Sequence, residues 1–145
     1  DYVSRMSNEK YAAVMAGNGS LRNQVLLTAD TIVVLDQQIL GKPRNEAEGQ
    51  LMLDLLSGAT HKVVTSVTIG ANFGETQQFL VETNVEFRTL TSNEISAYWS
   101  TGEPQDKAGG YGIQGLGAVF IRRIEGSYFT YWITQNWFNI HSKSA

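Results

Sequence analysis

Residues 25–35 read Val25-Leu26-Leu27-Thr28-Ala29-Asp30-Thr31-Ile32-Val33-Val34-Leu35, a nearly continuous apolar, β-branched run broken by one carboxylate. A run of this kind marks a strand covered on both faces, so it predicts an interior strand and, with it, a layered α/β protein. Asp30 is the exception that needs a reason. Aspartate is depleted in strands, and a buried carboxylate is costly unless it is paired or metal-bound. Two readings are open: the strand ends at Thr28 and Asp30 is a solvated turn residue, or the strand continues and Asp30 is held there for chemistry.

Upstream, Val3, Met6, Lys10, Ala13 and Val14 recur at helical spacing, which predicts a helix over 3–16 that ends at Gly17. Lys10 falls inside that stripe, either as a snorkelling side chain whose stem packs while its ammonium reaches water, or as an inward-pointing functional cation. Downstream, Asp36-Gln37-Gln38 reads as a turn, Ile39-Leu40 as a short return and Gly41-Lys42-Pro43 as a second turn. Asn45 and Glu48 are spaced as a capping box opening a helix through Leu56, with Ala47, Leu51, Met52, Leu55 and Leu56 as its apolar face and Gly58 at the left-handed cap.

Residues 62–70 alternate through Val63, Thr65, Val67 and Ile69, and residues 78–88 through Phe79, Val81, Thr83, Val85 and Phe87, a long antiparallel hairpin around residues 72–75. A second capping box, Thr91 with Glu94, predicts a helix over 92–100 closed by Gly102, and residues 118–124 read as a last strand.

The composition bounds what such a fold does. One domain is expected from 145 residues, and 42% hydrophobic against 17% charged residues is enough apolar side chain for a single core. A net charge of −3 leaves no broad basic face for a nucleic-acid polymer. The absence of cysteine excludes a disulfide framework, a thiolate zinc site and a thiol nucleophile together. No run approaches the ~20 apolar residues of a membrane span and no signal pattern opens the chain, so no membrane and a cytoplasmic location are expected.

The least ordinary segment is 103–117, in which Gly109, Gly110, Gly112, Gly115 and Gly117 crowd together. Glycines permit positive φ and close approach of backbone N–H groups to a ligand; a flexible approach to the last strand is the plainer alternative. Gly110-x-Gly112-x-x-Gly115 matches the dinucleotide pattern by letters, but a helix precedes it and a strand follows, which is the wrong order for that mechanism. His61 and His141 are the only histidines, too few for a His-rich zinc site, and both read as structural. What remains is Asp30 with Lys10, Lys42 and Lys107. Carboxylate oxygens suit hard divalent cations and ammonium groups suit phosphates, the minimum set for metal-assisted attack of water on a phosphoanhydride.

The ordered motifs Glu9-Lys10, Ala29-Asp30-Thr31, Gly41-Lys42-Pro43, Leu56-Ser57-Gly58 and Asp106-Lys107-Ala108-Gly109-Gly110-Tyr111-Gly112-Ile113-Gln114-Gly115 resemble those of the Maf-type nucleoside triphosphate pyrophosphatases, over Tyr2 to Tyr128. The resemblance implies an α/β fold of the inosine-triphosphatase type, with a mixed, elongated sheet and flanking helices. It also implies hydrolysis of a nucleoside triphosphate to monophosphate and pyrophosphate with a divalent metal, Mg²⁺ or Mn²⁺, in a protein that often forms a homodimer. By position, Asp30 would accept the proton of the attacking water and contact the metal, Lys10 and Lys42 would hold phosphate charge, Lys107 would contact substrate, and Thr31 and Gln114 would select the base. The Ala-Asp-Thr and Ile-Gln-Gly forms are similar to the branch that prefers dTTP and UTP.

The family pattern begins with a strand and a Ser-x-Ser-Pro-Arg-Arg phosphate loop, and this chain starts after both, so the expected domain, 1–128, is N-terminally incomplete. Residues 129–145 form an atypical aromatic tail, read as a frame change in preference to a packed strand or an adhesive site. The alternative to an active pyrophosphatase is a catalytically dead nucleotide-binding remnant of the same family.

Overall fold

A computed structural model describes residues 2–17, 25–71 and 76–126; the tail 129–145, His141 and the turn at 72–75 lie outside the described residues. Three helices are seen, α1 (Tyr2–Gly17), α2 (Glu46–Leu56) and α3 (Ser92–Ser100), with five strands, β1 (Val25–Leu35), β2 (Gln38–Leu40), β3 (Thr60–Ala71), β4 (Gln77–Phe87) and β5 (Ile121–Glu125). The strands form one open sheet in the order β2-β1-β3-β4-β5, and every neighbouring pair is antiparallel. This is the α/β architecture with flanking helices that the sequence implies, its sheet among the described residues antiparallel throughout where a mixed one is expected.

β1 runs without interruption through Asp30, so the reading that ends the strand at Thr28 is overturned. The reason is cross-strand pairing: every residue from Val25 to Val34 has a partner on β3, and Asp30 faces Ser66. β1 then reverses into β2 over two residues, Asp36 (φ 47°) and Gln37 (φ 67°). Positive φ at both central positions matches the right-handed twist of the flanking strands, which draws Gln38 out of the predicted turn and into β2.

The sheet is not covered evenly. On one face α2, α3 and the segment after α3 build the main core from Val33, Leu53, Leu56, Val63, Val85, Phe87, Tyr98, Tyr111 and Phe120, among others. Burial of each such aliphatic or aromatic side chain is worth about 1.5–3 kcal/mol. On the other face α1 packs across β1 and β3. β3 shows the switch: His61, Val63 and Thr65 are buried on the first face, then Ser66, Thr68 and Gly70 on the second. The single-faced alternation expected through Val67 and Ile69 therefore stops at Thr65, because the covering layer changes sides there. β4 runs antiparallel, so it is exposed at its start, with Phe79 and Leu80 half in solvent, and buried at Thr83, Val85 and Phe87.

Both capping predictions place their helices. Asn45 accepts from the Glu48 N–H at 2.9 Å, while the Glu48 carboxylate takes the Arg44 guanidinium, also at 2.9 Å, where a reach back to Asn45 was expected. Thr91 and Glu94 form a full capping box, and the two Arg88 hydrogen bonds to Glu94 hold its carboxyl well below the usual carboxylate range. The inward face of α2 differs from the expected one: Gly49, Met52, Leu53 and Leu56 are buried, whereas Leu51 and Leu55 are 58% and 41% exposed. Residues 118–120 belong to a 3-10 turn, Leu116–Phe120, and the last strand starts only at Ile121.

The glycine-rich segment is a plug. Three short 3-10 turns, Glu103–Asp106, Ala108–Gly110 and Leu116–Phe120, carry Tyr111 and Ile113 into the core. Gly109 has φ 73° and lies so close to Val33 that a Cβ would sit 2.9 Å from its Cγ2, so both conformation and space require glycine. The backbone N–H groups of Gly109, Gly110, Gly112 and Gly117 bond to Gly41 O, Lys107 O, the Tyr98 hydroxyl and Glu103 Oε2. Those four donors serve internal packing, where ligand contact and flexibility had been the two expectations.

His61 has the structural role expected of it. Its Nε2 lies 2.6 Å from the Tyr111 hydroxyl, its ring meets the Phe87 and Tyr111 rings edge-on, and burial lowers its pKa to about 4. Among the described residues no helix is long and apolar enough to cross a membrane.

Candidate active site

Asp30 occupies the middle of β1 on the face covered by α1. Lys10, in the third turn of α1, donates from Nζ to Asp30 Oδ1 at 2.6 Å and approaches the Ala29 carbonyl at 3.4 Å. The two side chains keep 36% and 20% of their exposure, so the pair is sheltered yet still open to water. This answers both open questions of the sequence. The carboxylate that interrupts an apolar strand is paired, and the lysine in the helix points inward to pair it.

The face that α1 lays on the sheet keeps Val3 and Lys10 of the expected stripe but not its other members. Val3, Ser7 and Tyr11 are buried, while Ala13 and Val14 are exposed and Met6 is partly covered. A helix with so few apolar contacts docks by hydrogen bonds instead. Ser7 Oγ lies 2.9 Å from Ser66 Oγ and 2.8 Å from Thr68 Oγ1, and the Thr28 hydroxyl donates to the Ser7 carbonyl at 2.8 Å. Gly70 completes the seat, since any Cβ there would overlap the Tyr11 ring. Sequence reasoning missed Ser7, Ser66 and Thr68. The available signal was small hydroxyl residues at alternate positions of one strand, paired with Thr28 and Asp30 on the next.

The other predicted site residues lie elsewhere. Thr31 follows Asp30 and, by strand alternation, faces the opposite side, where its hydroxyl is 3.0 Å from that of Thr65. Lys42 is exposed in the turn after β2, and that turn is tied to the glycine-rich segment by the Gly109 N–H to Gly41 O bond of 3.0 Å. Lys107 lies in the same segment with Nζ 3.7 Å from Asp106 Oδ1, and Gln114 is exposed near its end. Lys10 and Asp30 thus meet on the α1 face, while Thr31, Lys42, Lys107 and Gln114 belong to the opposite side of β1 and the segment packed there.

No group of three or more His, Asp or Glu side chains that could hold a metal occurs among the described residues. At the Lys10 pair the carboxylate available to a divalent cation is Asp30. Each carboxylate oxygen has two acceptor positions, so Asp30 has capacity beyond the Lys10 bond. That set fits a Mg²⁺-like ion held by one carboxylate with substrate phosphates and waters, and does not fit an all-protein cage.

An open antiparallel sheet with helices on both faces, carrying a lysine–carboxylate pair in mid-strand, defines the class as α/β. Comparison with known proteins makes the class specific. The Maf-like protein family matches residues 1–131, and the chain belongs to it. It is 52% identical over 132 residues to the dTTP/UTP pyrophosphatase of Photobacterium profundum, covering 88% of this chain and 67% of that protein. The dTTP/UTP pyrophosphatase of Vibrio cholerae is 50% identical over 130 residues, covering 88% and 66%, and that of Bacillus pumilus 52% over 131 residues, covering 88% and 69%. The chain thus spans about two thirds of the length of these relatives.

Proposed function

We propose that this chain is a nucleoside triphosphate pyrophosphatase that hydrolyses dTTP and UTP to the monophosphate and pyrophosphate. The observation that carries the reading is the Lys10–Asp30 pair, 2.6 Å apart in the middle of an otherwise apolar strand, in a chain about half identical to dTTP/UTP pyrophosphatases. In this reading water attacks the α-phosphorus, a new P–O bond forms, and the α–β phosphoanhydride bond breaks to release pyrophosphate. Asp30 takes the proton of the attacking water. Lys10 keeps that carboxylate oriented and places a positive charge beside the phosphates.

A divalent cation, Mg²⁺ or Mn²⁺, held at Asp30 would supply Lewis-acid polarisation of the α-phosphate. By the resemblance, Lys42 and Lys107 would offset charge on the triphosphate and Thr31 and Gln114 would contact the base, although all four lie across β1 from Asp30. Residues 1–128 are the pyrophosphatase domain and 129–145 a separate tail. The cytoplasm is the compartment, a homodimer the assembly, and a nucleotide, with no membrane or nucleic-acid polymer, the partner; the net charge of −3 supports the last point.

The test is pyrophosphate release from dTTP and UTP with Mg²⁺ or Mn²⁺, with Asp30→Asn beside the unaltered chain. Turnover that disappears in the variant while its unfolding transition stays in place supports the assignment. No turnover from folded protein supports the nucleotide-binding remnant instead, and equal turnover in both removes Asp30 as the base.

A further inference from the structure

We propose that Ser7 is a positioning residue of the Lys10–Asp30 site: its hydroxyl is the hub that fixes α1 on the sheet at the rotation and height where Lys10 meets Asp30. The proposal rests on the pyrophosphatase reading only for its kinetic consequence. Its geometric content stands on the hydrogen bonds themselves.

Ser7 and Lys10 are three residues apart on α1 and so lie on one side of the helix, a turn from each other. On the sheet, Ser66 is the direct cross-strand partner of Asp30, and Thr68 that of Thr28. Ser7 Oγ reaches both β3 hydroxyls, at 2.9 and 2.8 Å, and Gln78 Nε2 donates to it at 3.2 Å. The same pins therefore hold both ends of the ion pair, Lys10 through its helix and Asp30 through its strand neighbour.

The Thr68 hydroxyl donates to Asn8 Oδ1 at 3.1 Å. The Ser7 hydroxyl donates to Ser4 O at 3.2 Å, and in its contacts with Ser66 and Thr68 either hydroxyl can be the donor. Gln78 fills an acceptor position of Ser7 and also donates to Ser4 O at 2.7 Å. Ser7 Oγ is thus within hydrogen-bond distance of Ser4 O, of the Ser66 and Thr68 hydroxyls on β3 and of Gln78 on β4. Ser7, Ser66 and Thr68 are all fully buried, so no water replaces a lost partner without opening the interface.

An apolar helix seat tolerates small slides, because dispersion contacts are not directional, whereas hydrogen bonds fix distance and angle. With only Val3 and Tyr11 as buried apolar residues on this helix, the alignment of Lys10 depends on the hydroxyls. Displacement of a catalytic group by about 1 Å costs up to about a hundredfold in rate, so loss of Ser7 is expected to lower kcat/KM by between tenfold and a hundredfold.

The experiment compares the unaltered chain with Ser7→Ala, Ser66→Ala and Val3→Ala. Val3→Ala loosens the same helix by removing apolar packing but keeps every hydroxyl. Two readouts are taken: the acylation rate of the Lys10 amine against those of Lys42 and Lys107 by peptide mass spectrometry, and pyrophosphate release from dTTP with Mg²⁺. In Ser7→Ala, Lys10 is expected to acylate several-fold faster with Lys42 and Lys107 unchanged, and turnover to fall; Ser66→Ala shows the same pattern more weakly and serves where Ser7→Ala does not fold. An unchanged Lys10 rate in Ser7→Ala, or an equal rise in Val3→Ala, overturns the proposal and leaves Ser7 as ordinary packing. Absence of turnover in the unaltered chain breaks the pyrophosphatase reading alone, since the acylation comparison still decides the geometry.

Discussion

The two faces of the sheet are built by different physics. Under α2, α3 and the glycine-rich plug, the face is apolar and aromatic, with Leu53, Leu56, Val63, Val85, Phe87 and Tyr111 almost without exposure. Under α1 it is polar, with Ser7, Ser66 and Thr68 buried in a hydroxyl network and Lys10 paired to Asp30 at the rim. The first face carries the apolar burial that offsets chain entropy. The second holds a charged pair in a defined place at little cost in unsatisfied polar groups, because each buried hydroxyl there has a partner. The two faces are thus held by different interactions across a single sheet, and substitutions on the two sides should have separable effects.

The sharpest way to break that separation is Asp30→Asn. It should lower pyrophosphate release by about a hundredfold to ten-thousandfold, the scale of a lost general base, with little change in thermal unfolding; a large loss of stability would mean that the polar face is structural after all. Phe87→Ala should do the reverse. It removes a ring that meets His61, Tyr111 and Phe120, and a cost of about 3–5 kcal/mol is expected by denaturant unfolding.

A pH series isolates the apolar face without mutation. His61 is neutral in the fold with its pKa lowered to about 4, while the unfolded chain binds its proton near 6.5. The unfolded state therefore takes up more protons between those values, and the His61 contribution to stability falls as pH drops from about 6.5 to about 4, by up to about 3 kcal/mol, and levels off below, where loss of the Glu94 contribution follows. His61→Gln should flatten that window, read by urea unfolding at successive pH values. The smallest effect on stability belongs to Lys10→Met, within about 1 kcal/mol because the pair is partly exposed, yet its turnover should fall clearly. A stability loss as large as that of Phe87→Ala would erase the contrast between the faces.

Most elements were legible because their signals are local. Asn45 and Thr91 mark helix starts through their own side-chain bonds, and Asp36-Gln37 closes a two-residue hairpin. Inward faces were less legible. Leu51 and Leu55 of α2 sit at apolar spacing yet remain exposed, because Gly49 rather than a larger residue turns toward the Trp99 ring and brings α3 close on that side. On α1 the apolar count pointed to Ala13 and Val14, while the buried stripe is Val3, Ser7 and Tyr11.

The sequence by itself determined the chain's elements and class: an interior strand with one carboxylate, capped helices, a long antiparallel hairpin and the ordered motifs that place it in its family. Only the tertiary structure decided that Asp30 stays within the strand, that Lys10 is its partner and that three serine and threonine hydroxyls seat the helix between them. Local signals are written in neighbouring residues and follow from backbone geometry. Ser7 and Thr68 are 61 positions apart, and a hydrogen bond between two common side chains leaves no mark on the sequence until the chain has folded to bring them within reach.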